Sequence, residues 1–314
     1  MNEKIAGQIE AVNSYLLTRN PDGFDRRVAI RKFLQCICAR HIELGLGDSN
    51  LVKELCSGDD ARYWPRLSEI LLANEMLEVG LPLTPSRDGP DFHMEIDGRS
   101  IWIEVICPQP TGIPQDWLVP PAQGRNVDYP HQAILLRWTA AIKEKAQKLL
   151  GDSATGAKGY IDKAVVGPKD AYVIAVNGRL LRGSGFASII GISQFPYAVE
   201  AGFAVGPMTI TIDLDSNKAV GAGHQHRPVI RKPNGAAVPA YSFLDPAFAS
   251  VSAIWATDID ESWVIGNMKP LAVVHNPLAA NKLPTGLLPA QDEYIATANG
   301  PDEYVLERRD GRLI

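Results

Sequence analysis

Asp91 opens one apolar run of the chain and Glu104 stands inside the next, in the stretch GPDFHMEIDGRSIWIEVICPQP at 89–110. Asp97-Gly98 lies between the two runs. An Asp-Gly pair flanked by alternating hydrophobics predicts a β-hairpin closed by a two-residue type I′ turn. With those two residues as the loop, Ile96 pairs with Arg99, Glu95 with Ser100, His93 with Trp102 and Asp91 with Glu104. Directly opposite residues share a sheet face, with Cβ atoms ~5 Å apart. The other face then carries Phe92, Met94, Ile96, Ile101, Ile103, Val105 and Cys107, an apolar set that a one-residue slip would scramble. Two carboxylates so placed repel each other, and they either take up a proton or bind a cation. Hard divalent ions such as Mg²⁺ or Mn²⁺ prefer oxygen ligands of this kind. The alternative is a pair of solvated acids on an exposed face. The large apolar residues around Glu104 in SIWIEVIC favour an enclosed site. Removing either acid relieves repulsion, so metal-free stability is expected to hold or rise in Asp91→Ala and Glu104→Ala.

The elements that must position these acids are helices and further strands. Helical periodicity covers 3–18 and 25–45, with NPDG breaking between them. A third helix is expected from Asp59 or Asp60 to a C-capping Gly80, with Pro65 in its first turn. The hairpin strands fall at about 91–96 and 100–107, and a Pro/Gly-rich loop follows at 108–128. A long helix is expected at 130–150. The continuous apolar run at 171–177 reads as a buried central strand. Later strands are expected at 207–214, 250–256 and 271–275. This order implies an α/β (α+β) fold with a mixed central sheet flanked by helices. On the 130–150 helix, Leu135, Trp138, Ile142, Ala146 and Leu149 form one apolar stripe, flanked by Lys143 and Lys145, with Lys148 one step further round.

Pro90-Asp91, a short hairpin and the acid Glu104 resemble the motif of the PD-(D/E)XK nuclease superfamily, which includes restriction endonuclease-like enzymes. The likeness spans about 61–180 and rests on a short, degenerate motif. It implies a nuclease-like core there, a helical segment at 1–60 before it, and a β-rich extension at 181–314 packed on it. It also implies a third metal ligand on the preceding helix, where Glu69 of LSEILLANEML falls. The activity implied is Mg²⁺- or Mn²⁺-dependent hydrolysis of phosphodiester bonds in nucleic acid, DNA in particular, of the restriction or defence type. No membrane partner is implied, and a homodimer is compatible with it. The family's lysine should stand two residues after the second acid, on the same face. Here that position is Ile106. A cation is still wanted beside the reacting phosphate. A lysine on a stripe edge can lay its stem along the sheet and project its ammonium to a neighbouring site. Lys145 is therefore the expected replacement and Lys148 the second choice; the bland reading of both is a solvated flank. The competing reading of the whole chain is a nuclease-like fold without activity, serving as a binding or structural module. The missing lysine favours that reading, and the retained acid pair favours the enzyme.

The chain has 314 residues and a net charge of −5, whereas proteins that coat nucleic acid are usually basic overall; the charge weakens a nucleic-acid role without excluding it, because an enzyme needs only a local basic surface. No run approaches ~18 apolar residues. The start MNEKIAGQIEAVNSYLL lacks the pattern of a signal peptide, and the four cysteines make no disulfide framework. A cytoplasmic, reduced setting is expected. The densest basic stretch, GHQHRPVIRKP, offers Arg227, Arg231 and Lys232 as phosphate contacts, against the bland reading of a solvated loop. Cys36, Cys38, His41 and Cys56 fit no common zinc spacing and read as helix-core residues. Asp213 and Asp215 in TIDLDSN read as a turn before they read as a metal–diphosphate site. His275 reads as a packed or turn-forming residue.

Overall fold

The computed structural model describes residues 2–86, 88–120, 126–152, 154–183, 187–300 and 303–311. The chain opens with α1 (Glu3–Arg19), α2 (Asp25–Glu43), the short α3 (Leu51–Leu55) and α4 (Asp60–Glu78). Asp59 caps α4 as expected, its carboxylate accepting from the Ala61 N–H at 2.9 Å, and Gly80 follows the helix with φ +79°. Pro65 corrects the sequence reading: it lies inside α4, beyond the first turn. A proline there removes the N–H that would bond the carbonyl four residues back. That carbonyl belongs to Ala61, and the Gln109 side-chain amide donates to it instead at 3.0 Å. A partner 48 residues away thus lets the helix run through its proline.

β1 (Thr84–Pro85), β2 (Phe92–Ile96) and β3 (Arg99–Ile106) follow. The β2–β3 register runs from Ile96 opposite Arg99 to Phe92 opposite Ile103, as the Asp-Gly turn dictates. Asp97 and Gly98 have φ +50° and +71°, the two positive values a type I′ turn needs. After α5 (Gln115–Leu118) come α6 (His131–Leu150), β4 (Ala171–Asn177) and α7 (Tyr197–Phe203). Two small hairpins, β5 (Val205–Asp213) with β6 (Lys218–His226) and β7 (Val229–Arg231) with β8 (Ala237–Pro239), stand outside the main sheet. The chain closes with β9 (Ala253–Thr257), β10 (Leu271–His275), β11 (Asp292–Ala298) and β12 (Tyr304–Asp310).

The fold is mixed α/β: an eight-stranded sheet in the order β1-β2-β3-β4-β9-β10-β11-β12, with helices on both faces. β3–β4, β4–β9 and β10–β11 are parallel and the remaining pairs antiparallel. Every residue of β4 is buried, as its unbroken apolar run requires. On one face Leu34 of α2 and Leu67, Ile70 and Leu71 of α4 pack with Ile101, Ile103 and Val105. On the other, Leu135, Trp138 and Ile142 of α6 pack with Tyr172, Ile174 and Val176. The C-terminal strands are joined to this sheet directly: β9 bonds β4 edge to edge, so they continue the sheet rather than form a layer laid on it. The strand expected at 207–214 is β5, which among the described residues pairs with β6 alone; its Met208, Ile210 and Ile212, and Leu214 just after it, are exposed. Among the described residues no helix is long and apolar enough to cross a membrane.

Candidate active site

β3 delivers Glu104 to the interior of the sheet, where it stands beside Ile174 of β4 and is 2 % exposed. Asp91 lies one step past the last paired residues of β2 and β3, level with Glu104. Its Oδ2 accepts from the Val105 backbone N–H at 2.6 Å, which fixes the carboxylate against the strand. α6 crosses this face with its apolar stripe down: Leu135, Trp138, Ile142, Ala146 and Leu149 are all buried. Lys145 is buried with them, at 7 % exposure, and its Nζ donates to Glu104 Oε1 at 2.6 Å. Lys148, three residues on and therefore on the same side of the helix, donates to the same oxygen at 2.9 Å. Lys148 keeps half its side chain in solvent. The Tyr160 hydroxyl donates to Glu104 Oε2 at 3.3 Å. Ile106, two residues after Glu104, is half-buried against the α6 side of the core.

Glu69 reaches the same place from α4. The Arg66 guanidinium donates to its two oxygens at 3.1 and 3.0 Å and also pairs with Asp48 and Glu54. Burial, and then the neighbouring Asp91 charge, push the Glu69 carboxyl up to about 8 against the pull of Arg66. Burial and the Glu104 charge push Asp91 up to about 6, opposed by Lys145 and the Val105 N–H. Lys148 is raised: burial pulls it down, but Glu104 outweighs burial. Burial and Glu104 push the Tyr160 phenol up to about 12. Glu69, Asp91 and Glu104 thus form a chain of electrically linked acids along a cleft of about 490 Å³, which Lys145, Lys148 and Arg137 also line.

Among the described residues no group of three His, Cys, Asp or Glu side chains is placed to hold a metal ion. The donor set still suits Mg²⁺, which keeps several waters and takes one or two protein carboxylates. Asp91 and Glu104 are such a pair, each within the field of the other, and Glu69, held by Arg66, stands one step out.

The raised Asp91 has a consequence for stability. Its folded value lies above the ordinary 3.8, so between about pH 4 and 6 the native state holds a proton the unfolded chain has lost. Stability therefore falls as pH rises through that window, and Glu69 extends the fall to about 8. Asp91→Asn should raise the metal-free protein's stability at pH 7 by about 1–2 kcal/mol and make no difference at pH 4. Urea unfolding in EDTA at the two pH values measures it. A lower midpoint for the variant at pH 7 would mean that Asp91 is not under strain.

The basic stretch is divided. Arg231 and Lys232 are exposed on and just after β7. Arg227 is drawn to the start of α6, donating to Gln132 Oε1 at 3.1 Å and lying 3.4 Å from His131 Nδ1. Asp213 Oδ1 accepts from the Asp215 N–H, the turn its sequence suggests. His275 is buried against Glu293 at 3.3 Å. The cysteines are free, with Cys38 and Cys107 buried; Cys36 is exposed, which corrects its reading as a core residue. Sequence reasoning missed Arg66, Tyr160 and Arg137. The Arg66–Glu69 spacing of three was the one local signal pointing to any of them.

No family model, no curated protein and no solved structure matches the chain.

Proposed function

We propose that the protein is a Mg²⁺-dependent phosphodiesterase acting on nucleic acid, DNA in particular, with a restriction endonuclease-like core. The observation that carries this reading is the set of contacts on Glu104: a buried carboxylate level with Asp91, with Lys145 at 2.6 Å and Lys148 at 2.9 Å, open to one cleft. A structural ion pair needs one lysine and no second acid. Two acids and two ammoniums in a cleft are what a phosphodiester reaction uses, oxygen ligands for a cation and donors for the phosphoryl oxygens.

In this reading Asp91 and Glu104 would hold Mg²⁺, with Glu69 beside them as a further carboxylate of the cleft. Bound there, the ion supplies Lewis-acid stabilisation of the charge that grows on a phosphoryl oxygen. The chain's own groups do the rest. The Val105 N–H keeps Asp91 turned to the cleft. Arg66 holds Glu69 and ties α4 to the segment bearing Asp48 and Glu54. Lys145 and Lys148 exchange a Glu104 oxygen for a non-bridging oxygen of the substrate and donate to it as its charge rises. The free cysteines suit a reduced, cytoplasmic setting.

One observation favours the second reading, an inactive nuclease-like module: both Glu104 oxygens already have hydrogen-bond partners in the chain. Titrating Mn²⁺ into the protein by calorimetry, with Asp91→Ala as control, separates the two. The enzyme reading expects binding by the parent, loss in the variant, and metal-dependent cleavage of plasmid or oligonucleotide DNA. Equal Mn²⁺ binding by both proteins would dismiss the metal site. Binding without cleavage of any DNA or RNA would leave the module.

A further inference from the structure

A second depression, of about 860 Å³, runs between α6 and the β7–β8 hairpin. Arg137 borders both this groove and the acid–lysine cleft, so the two meet at that side chain. The groove is cationic in a chain of net charge −5: among its described lining residues, Arg137, Lys143, Arg231 and Lys232 stand against one carboxylate, Asp245. Asp245 is occupied as a cap, accepting from the Ala247 N–H at 2.9 Å. Among the described residues, Arg137, Lys143, Arg231 and Lys232 form no ion pair, and the Arg231 guanidinium donates to the Gly235 carbonyl at 3.2 Å. Arg137 Nε is buried with no hydrogen-bond partner among the described residues. A guanidinium nitrogen removed from water calls for an acceptor. The groove wall is fixed, because Gln132 Nε2 donates to the Arg231 carbonyl at 2.6 Å and pins the hairpin to α6.

Two half-buried aromatic residues, Tyr241 and Phe248, lie in the same groove. Cations that follow a backbone, together with aromatic faces that stack bases, are how proteins hold single strands. A duplex keeps its bases stacked inside and has none to lay on such faces. We propose that the groove takes a single-stranded stretch of nucleic acid, phosphates toward Arg137, Lys143, Arg231 and Lys232 and bases on Tyr241 and Phe248. The strand leads past Arg137 to the acid–lysine cleft; that last step rests on the phosphodiesterase reading, whereas strand binding does not.

The test is fluorescence anisotropy of a labelled 20-nucleotide dT strand and of a 20-base-pair duplex, in EDTA, over a series of salt concentrations. The parent chain is compared with Lys143→Ala/Lys232→Ala and with Tyr241→Leu, each checked for an unchanged melting curve. The parent should prefer the single strand. The double variant should bind it at least ~10-fold more weakly, with its salt slope flattened by about 1.4, since two phosphates of a single strand are no longer neutralised. Tyr241→Leu should lose roughly 10-fold with its salt slope unchanged, as for one stacked base. Equal affinity of the parent and the double variant, a preference for duplex, or no binding at all would overturn the groove assignment. Cleavage with Mn²⁺ is scored separately. A parent that binds through the groove but cleaves nothing keeps this inference and loses the phosphodiesterase. A parent that cleaves while the double variant binds as well as it does keeps the phosphodiesterase and loses this inference.

Discussion

Glu104→Ala should cost the metal-free protein about 3–5 kcal/mol, the loss expected when one partner of a buried ion pair is removed and the other stays behind. From the sequence alone, two facing carboxylates predict relief when either is deleted. The structure reverses this for Glu104, because the charge facing it most closely is an ammonium. Lys145 is 7 % exposed, and its Nζ is bonded to Glu104 Oε1. Without that carboxylate the ammonium must lose its proton or draw water into the core between α6 and β3. Lys148 can turn to solvent, so it adds little to the loss. The two acids therefore part company: Asp91→Asn stabilises at pH 7 while Glu104→Ala destabilises. Glu104→Ala/Lys145→Met removes both charges and should recover most of the loss, with a coupling energy of about 1–3 kcal/mol between neighbours. Urea unfolding in EDTA at pH 7 gives all four corners of the cycle. A Glu104→Ala protein as stable as its parent would mean that carboxylate repulsion, not the ion pair, governs the site.

The hairpin was legible because two local rules agree on it. Asp97-Gly98 selects the turn, and the period-two alternation admits one register; together they set Asp91 level with Glu104. The α6 stripe was legible for the same kind of reason, since helical period and apolar residues mark the buried face. Lys145 showed as an edge residue of that stripe. What the period could not show is that the helix crosses β3 so that this edge lies over Glu104, because a crossing is set by packing of the whole layer. Pro65 was placed in the first turn of α4 for want of a local signal: the group that satisfies the freed Ala61 carbonyl is Gln109, far along the chain. Glu69 was legible as a helix residue near the site, but its hold on Arg66 comes with Asp48 and Glu54 from outside α4.

The later strands divide in the same way. β9 and β10 are buried throughout and read as apolar runs. β12, YVLERRD, closes one edge of the sheet and is largely exposed, with charges of both signs along it. Edge strands carry such charges to discourage pairing with other chains, and the same charges erase the alternation that would have announced a strand. β5 was expected as a strand, yet its apolar residues Met208, Ile210 and Ile212 face solvent rather than the core. A strand-forming sequence there reported strand geometry without reporting burial.

If the parent is the proposed phosphodiesterase, Lys145→Met should lower its rate of metal-dependent cleavage ~10²-fold or more, the usual loss when one donor to a developing oxyanion is removed, while Mn²⁺ binding persists. The methionine keeps the apolar stem between α6 and β3 and deletes only the ammonium. Glu104 is not left bare, because Lys148 still donates to the same Oε1. Lys148→Met should cost less, since that ammonium is half in solvent and water replaces part of its field. Single-turnover cleavage and Mn²⁺ calorimetry on the two variants separate the possible roles. A large rate loss with metal affinity intact identifies Lys145 as a donor to the reacting phosphate. Loss of both together would make it a positioning residue that holds Glu104 for the ion. Turnover equal to that of an active parent would exclude Lys145, and Lys148, the other ammonium on Glu104, would then be the donor to test.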